Sequence, residues 1–376
     1  MNMKNETYRL AAPCHFGLES VLSGELKRLG AQNIAVTDGR VAFEGDAEMI
    51  AKSNLWLRTA ERVLLVLGEF HASTFTELFD GVADLPWENF IGKNDAFPVK
   101  GWSLDSALHS IPDCQSIVKK AIVKRLQSHY HVDWFQETGA KLQVQFSIRK
   151  NQAVLMLDTS GPGLHKRGYR ENANLAPIRE TLAAGILDLA RIYPDTQIYD
   201  PFCGSGTFLI ESALMACKIA PGIRRRFAAE YWNCFDPKIW QNQRSDAMDQ
   251  IRKDASFRAH GSDISDEAVS LALSNAKKAG VASRISVQQC NVAGFIPPEG
   301  KSLVVCNPPY GERMLELQEA EEVYRTMGKV FVPKPGVSYF IISPHDDFEK
   351  LFGRPATKRR KLYNGMLRCQ LFMYLG

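Results

Sequence analysis

The chain has no C-x-x-C pair, and its eight cysteines, at 14, 114, 203, 217, 234, 290, 306 and 369, form no tight cluster with its eight histidines. That argues against a zinc site and a disulfide framework, and it predicts reduced thiols, no bound metal and a cytoplasmic setting. Long hydrophobic runs are missing too. Val63-Leu64-Leu65-Val66-Leu67 falls far short of the roughly 20 residues a membrane span needs, and no h-region precedes it. Internal repeats and low-complexity segments are absent, which excludes solenoids. Nor does charge of one sign dominate: a net charge of +4 over 376 residues permits a polyanionic partner without requiring one. What is there is a chain with 45% hydrophobic residues, enough for two or three domains with real cores.

Residues 8–65 place Leu18, Val21, Leu22, Leu26 and Leu29 on one helix face, with Gly30 as the stop. Strands at 34–36 and 40–43 are joined by the hairpin signal Asp38-Gly39, and a helix at 47–57 leads to a strand at 62–67. A small α+β unit is predicted. Residues 70–157 read as a second one, with strands at 96–100, 142–148 and 152–157 and a helix over 116–130. On that helix Lys119, Lys120, Lys124 and Arg125 gather opposite an apolar face. They suit a nucleic-acid contact, though a solvated helix face accounts for them equally.

Ser160-Gly161-Pro162-Gly163 marks a domain boundary, and the basic run His165-Lys166-Arg167-Gly168-Tyr169-Arg170 beside it could touch phosphate or simply be a charged linker. A helix over 178–189 follows, with Pro177 at its start. The predicted domains are therefore 1–66, 67–158 and 159–376.

In the third domain strands at 197–199, 257–261, 285–288, 302–306 and 337–342 alternate with helical segments. The helix over 266–279 has Ser265 as a cap, acids in its first turn, lysines in its last and Gly280 as its stop. Alternation of this kind implies a parallel sheet with helices on both faces. Strands at 358–363 and 367–374 around Asn364-Gly365 close it with an antiparallel hairpin, giving seven strands.

The chemistry gathers at the ends of these strands. Asp200-Pro201-Phe202-Cys203-Gly204-Ser205-Gly206-Thr207-Phe208 lies between a strand and a helix, where glycines let the backbone approach a ligand. It is neither G-x-G-x-x-G nor a Walker loop. Asp200 would repel a pyrophosphate but suits S-adenosylmethionine, which carries a sulfonium and an ammonium. Asp263, 63 residues after Asp200, sits where a carboxylate can accept both ribose hydroxyls. Dinucleotide folds need only about 20 residues there, so an insertion lies within 219–252. Its Arg224-Arg225-Arg226, Tyr231 and Trp232 suit a wall of a nucleic-acid channel, or a structural insertion with a solvated arginine run. Asn291 ends the third strand, positioned either for the adenine amino group or as a turn former. Finally, Asn307-Pro308-Pro309-Tyr310 ends an apolar strand with an amide, a rigid turn and a ring, a set that can grip a flat group bearing an NH2.

Together these residues resemble the class I S-adenosylmethionine-dependent methyltransferases, specifically the THUMP-containing RNA guanine-N2 methyltransferases, over nearly the whole chain. DPFCGSGTF looks like the donor loop, NPPYGER like the catalytic motif, and HKRGYR with APIRETLAAGIL (176–187) like the lead-in to the catalytic domain. The region 113–126 resembles a THUMP domain preceded by a ferredoxin-like one. The resemblance implies a Rossmann-like α/β domain of seven strands behind two α+β domains. Asp200, Phe202, Gly204, Gly206, Thr207, Asp263, Ile264, Asn291 and Asn307 would hold the donor, and Asn307, Pro308 and Tyr310 the reacting base. RNA would contact Lys119, Lys120, Lys124, Lys166, Arg167, Arg170, Arg224 and Arg225. Asn291 departs from the Asp that relatives often carry. In texture the chain is nearer to bacterial enzymes of large-subunit ribosomal RNA than to tRNA enzymes, and it is expected to act as a monomer. Guanine-N2 methylation of tRNA, adenine-N6 methylation and a non-catalytic RNA-binding assembly factor are the competing readings.

Overall fold

A computed structural model describes residues 6–170, 178–311 and 314–376. Two seven-stranded sheets organise it. The front half contains β1 (Tyr8–Pro13), α1 (Glu19–Leu29), β2 (Gln32–Thr37), β3 (Arg40–Gly45), α2 (Ala47–Trp56) and β4 (Leu64–His71), then α3 (Phe75–Ala83), β5 (Val99–Leu104), α4 (Ile111–Tyr130), β6 (Val144–Arg149) and β7 (Gln152–Asp158). Its strands lie in the order β2-β3-β1-β4-β7-β6-β5. β4 pairs antiparallel with β1 on one edge and with β7 on the other, so both front units share one sheet. The expected boundary at 66/67 thus falls inside β4, whose apolar run is covered on both edges.

The rear half begins with α5 (Glu180–Ala190) and β8 (Gln197–Asp200). It continues through α6 (Thr207–Ala216), α7 (Pro237–Asp249), β9 (Arg258–Asp263), α8 (Asp266–Ala279), β10 (Ile285–Gln289), β11 (Ser302–Cys306) and α9 (Met314–Val330), and ends with β12 (Val337–Ser343), α10 (Phe348–Phe352), β13 (Lys358–Asn364) and β14 (Leu367–Tyr374). The order is β10-β9-β8-β11-β12-β14-β13, parallel except for β14, which runs antiparallel to both neighbours. This is the doubly wound sheet with a closing hairpin that the alternation predicts. The strand order reverses between β8 and β11, and open α/β sheets bind ligands at the carboxyl ends beside such a reversal.

The local signals act as expected in α8: the Ser265 side chain accepts the Ala268 N–H at 3.2 Å, and Gly280 ends the helix at φ 77°. Elsewhere tertiary contacts extend the elements. α4 starts at Ile111, ahead of the predicted 116, with Pro112 in its first turn where its missing N–H is harmless. Pro177, expected at a helix start, lies outside the described residues. Among the described residues no helix is long and apolar enough to cross a membrane.

The insertion at 219–252 has a different place from the one expected. Phe227, Trp232, Phe235 and Trp240 are buried in the core of the front half, together with Trp87, Phe97 and Phe146. Trp232 is 2% exposed and its indole N–H donates to the Lys141 carbonyl at 3.3 Å. Of the two aromatics expected to wall a channel, Tyr231, 61% exposed, faces solvent and Trp232 does not, while Arg224 and Arg226 are exposed. The insertion joins the two halves through buried aromatic area, which non-polar burial favours strongly.

Candidate active site

The strand ends at the reversal surround a cavity of about 880 Å3. Asp200, Phe202, Gly204, Thr207, Asp263, Ile264, Asn291, Asn307, Pro308 and Tyr310 all line it, so widely separated motifs share one space.

The donor loop is held from within. Asp200, 2% exposed, accepts the Phe202 N–H at 3.1 Å. Burial, and then the nearby Asp263 charge, push its pKa well above the usual carboxylate range. Asp263 uses one oxygen on the Gly204 N–H at 2.9 Å and the other on the Ser265 N–H at 3.1 Å. Those bonds fix its plane, and each oxygen keeps lone-pair capacity for a ribose hydroxyl. A Cβ on Gly204 would meet nothing within 4 Å, so that stretch of backbone is open to a ligand. Gly206 differs: it does not line the cavity. At φ 81° its N–H donates to the Cys203 carbonyl at 2.7 Å, and an added Cβ would sit 3.1 Å from Ala272 Cβ of α8. Its work is the turn and the close approach of two helices.

Sequence reading missed Asn275, which is 1% exposed on α8 and donates from its side-chain amide to the Ser205 carbonyl at 3.0 Å. The signal was a polar residue on the apolar face of α8, beside Ala272 and Ala276. Ile178 and Val323 also line the cavity and were not anticipated. Asn291 caps the short turn after β10, its Oδ1 accepting the Ala293 N–H at 2.9 Å. It therefore acts as a turn former and is also on the cavity wall.

On the acceptor side the Tyr310 hydroxyl donates to Asn307 Oδ1. Burial raises the Tyr310 pKa, so the phenol stays a donor. Tyr324, buried on α9, donates its hydroxyl to the Pro309 carbonyl at 2.9 Å and receives Ser343 Oγ at 3.3 Å. This brace on the Asn-Pro-Pro-Tyr turn was invisible in the motif itself.

The basic residues divide. Arg167 is 4% exposed, contacts Glu211 at 3.4 Å and donates to the Leu164 carbonyl at 2.7 Å. Arg170 pairs with Glu180 at 3.5 Å and donates to Thr207 Oγ1. Arg225 donates to the carbonyls of Pro162, Gly163 and Lys166, and burial lowers its pKa to about 10. Lys119 is tied to Glu137 and lies 3.5 Å from the Phe97 ring centroid. These four are held by carboxylates and carbonyls of the chain itself. Lys120, Lys124, Lys166 and Arg224 are exposed, Arg224 while donating to the Lys278 carbonyl.

Comparison with known proteins agrees with this architecture. Residues 9–64 match the RlmL ferredoxin-like domain, 72–158 the THUMP domain and 167–372 the RMKL-like methyltransferase domain. YpsC of Bacillus subtilis (strain 168), named as an RNA methyltransferase, is 43% identical over 98% of this chain and 96% of its own. The ribosomal RNA large subunit methyltransferase K/L of Psychromonas ingrahamii is 34% identical over 96% of this chain and 49% of its own. Two solved structures have a TM-score of 0.94 and 42% identity. SMU.472, named as a methyltransferase and solved with SAH, covers 99% of both chains. A Listeria monocytogenes (str. 4b F2365) protein named as an N6-adenine-specific DNA methylase covers 99% of this chain and 97% of that one. The chain belongs to the RMKL-like methyltransferases, carrying an RlmL-type ferredoxin-like domain and a THUMP domain in front of the catalytic one.

Proposed function

We propose that this protein transfers a methyl group from S-adenosylmethionine to the exocyclic N2 amine of a guanosine in RNA, with large-subunit ribosomal RNA as the substrate. The observation that carries the reading is that the Asn307 amide opens on the same cavity as the donor loop and Asp263. Gly204, Asp263 and Phe202 would hold the donor's nucleoside end, and Asp200 its cationic end. When bound, the donor supplies an electrophilic methyl.

The chain's own contribution is positional. An exocyclic amine is a poor nucleophile because its lone pair is delocalised into the ring. Asn307 Oδ1, the acceptor that Tyr310 reaches in this structure, and the Pro308 carbonyl would each take one amine N–H, turning the lone pair out of the ring. Tyr310 would then stack on a base that is single-stranded or flipped. The exposed Lys120, Lys124, Lys166 and Arg224 would lie along the RNA backbone.

The ribosomal target is supported by the name of the K/L relative, of which this chain spans about half the length, and RNA by the name of the YpsC relative. The Listeria relative's name favours adenine N6, which the same tetrapeptide could serve. Nucleoside mass spectrometry of RNA incubated with enzyme and donor decides between them. N2-methylguanosine is expected, and Asn307→Ala should lower its formation by about 10²–10³, as removal of one preorganised hydrogen bond does. N6-methyladenosine would replace the base assignment, no product at all would favour a binding factor, and near-normal turnover of the variant would remove Asn307 from the mechanism.

A further inference from the structure

The β13–β14 hairpin stands beside the acceptor turn, where the Tyr310 hydroxyl faces Asn364 and Cys369. Asn364 and Leu367 form its last pair, so the loop is only Gly365 and Met366, with Gly365 at φ 64°. A two-residue loop this tight cannot fold its side chains back onto the sheet. Met366 is accordingly 99% exposed and Leu367 43%.

The base of the hairpin is braced while the tip is open. Arg360 donates to the Gly17 carbonyl and to Ser20 Oγ, each at 2.8 Å, and Phe16 of the front half meets the Tyr363 ring edge-on at 6.0 Å. Lys361 Nζ lies 5.3 Å from the Tyr363 ring centroid. Between residues 351 and 376 there are six Lys or Arg and no Asp or Glu. Lys358, Lys361 and Arg368 are exposed. Glu349 claims Arg359 at the base of the hairpin, but an apolar tip flanked by the exposed cations Lys358, Lys361 and Arg368 and beside the acceptor turn complements a polyanion that presents stacked bases.

We infer that the hairpin tip is a wedge that enters the RNA stack where the target base leaves it, Met366 filling the gap and Lys361 and Arg368 meeting the flanking phosphates. The inference rests on the proposed reading of RNA base methylation. A base inside a helix must be extruded before its amine can react, and apolar side chains, methionine among them, stabilise an opened base step. An unbranched, polarisable thioether adapts to whichever bases flank the gap.

The test compares two forms of one substrate, large-subunit ribosomal RNA from a strain lacking the gene: natively folded in magnesium, or cut into short unstructured fragments. For Met366→Ala the ratio of kcat/KM on folded RNA to that on fragments should fall about tenfold against wild type, a share of the unstacking energy of one base step. Met366→Leu should restore most of it. Because the ratio is taken within one variant, partial misfolding cancels. A wild-type ratio in Met366→Ala overturns the wedge, as it would if a protein partner or a second copy covered the tip. Wild-type activity confined to folded RNA also overturns it, since a wedge is dispensable where nothing is stacked. A wild-type protein inactive on both forms overturns the methylation reading itself, and the wedge with it.

Discussion

The Asp200 carboxyl is buried, accepts the Phe202 N–H, and lies close enough to Asp263 to feel its charge. Its pKa is held well above the ordinary carboxylate value, first by burial and then by Asp263. The sign follows directly. An acid whose pKa rises on folding supports the fold fully below its unfolded value, near 4, and that support is lost as pH climbs through the raised value. At pH 8 the wild-type fold therefore carries a penalty that Asp200→Asn removes while keeping an acceptor for Phe202. Thermal melts should show the variant more stable at pH 8 by about 2–4 °C per kcal/mol relieved, with a smaller gain at pH 5. Calorimetry should show its donor affinity weakened. Equal melting at pH 8 would mean that the buried acid stores no penalty. Asp200 and Asn307 were legible in the sequence because an acid or an amide at a strand end advertises its chemistry. Arg167 was not, because a sequence displays a charge without showing that Glu211 will claim it.

At the scale of elements the rear sheet could be read almost strand by strand, since buried parallel strands are short apolar runs with sharp ends. α9 could not. Ala320, Tyr324, Met327 and Phe331 recur at helical spacing and are buried, yet six charged residues are interspersed through 314–330 and dilute the stripe. That helix matters because Tyr324 braces the acceptor turn through the Pro309 carbonyl at 2.9 Å. Tyr324→Phe keeps the ring contacts with His345 and Phe348 and removes this bond together with the one received from Ser343 Oγ. A neutral hydrogen bond contributes about 0.5–1.5 kcal/mol net, so kcat should fall about 3–10-fold. Donor affinity should change less than about twofold, because the donor loop hangs from other elements. If donor affinity fell as far as kcat, Tyr324 would support the whole cavity and would not be a positioning residue for the acceptor.

For the whole molecule, what the sequence could not reveal is how the two sheets are joined. The spacing between Asp200 and Asp263 located the insertion, but aromatic residues serve a surface or a core equally well, and the partners that decide between them lie more than 80 residues away, as Trp232 and Lys141 do. The same seam holds Glu211, fully buried, between Arg167 and the Tyr169 hydroxyl at 3.1 Å, while Arg58 of the front half donates to the Ile219 carbonyl at 2.6 Å. Removing one partner of a buried pair strands the other, which typically costs about 3–5 kcal/mol. Arg167→Ala should therefore lower the melting temperature sharply. At a temperature where the variant is folded, its RNA affinity and the salt dependence of that affinity should match wild type. Replacing Lys120, Lys124, Lys166 and Arg224 together by alanine should do the reverse. Stability should hardly move, since exposed charges contribute little, while RNA binding weakens and the slope of log affinity against log salt shrinks by about one for each phosphate that is no longer neutralised. Salt titrations of RNA binding, run beside the melts, separate the two sets. Were Arg167→Ala to flatten the salt slope without a loss of stability, the buried arginine would have to reach RNA, and the division drawn from its burial would fail.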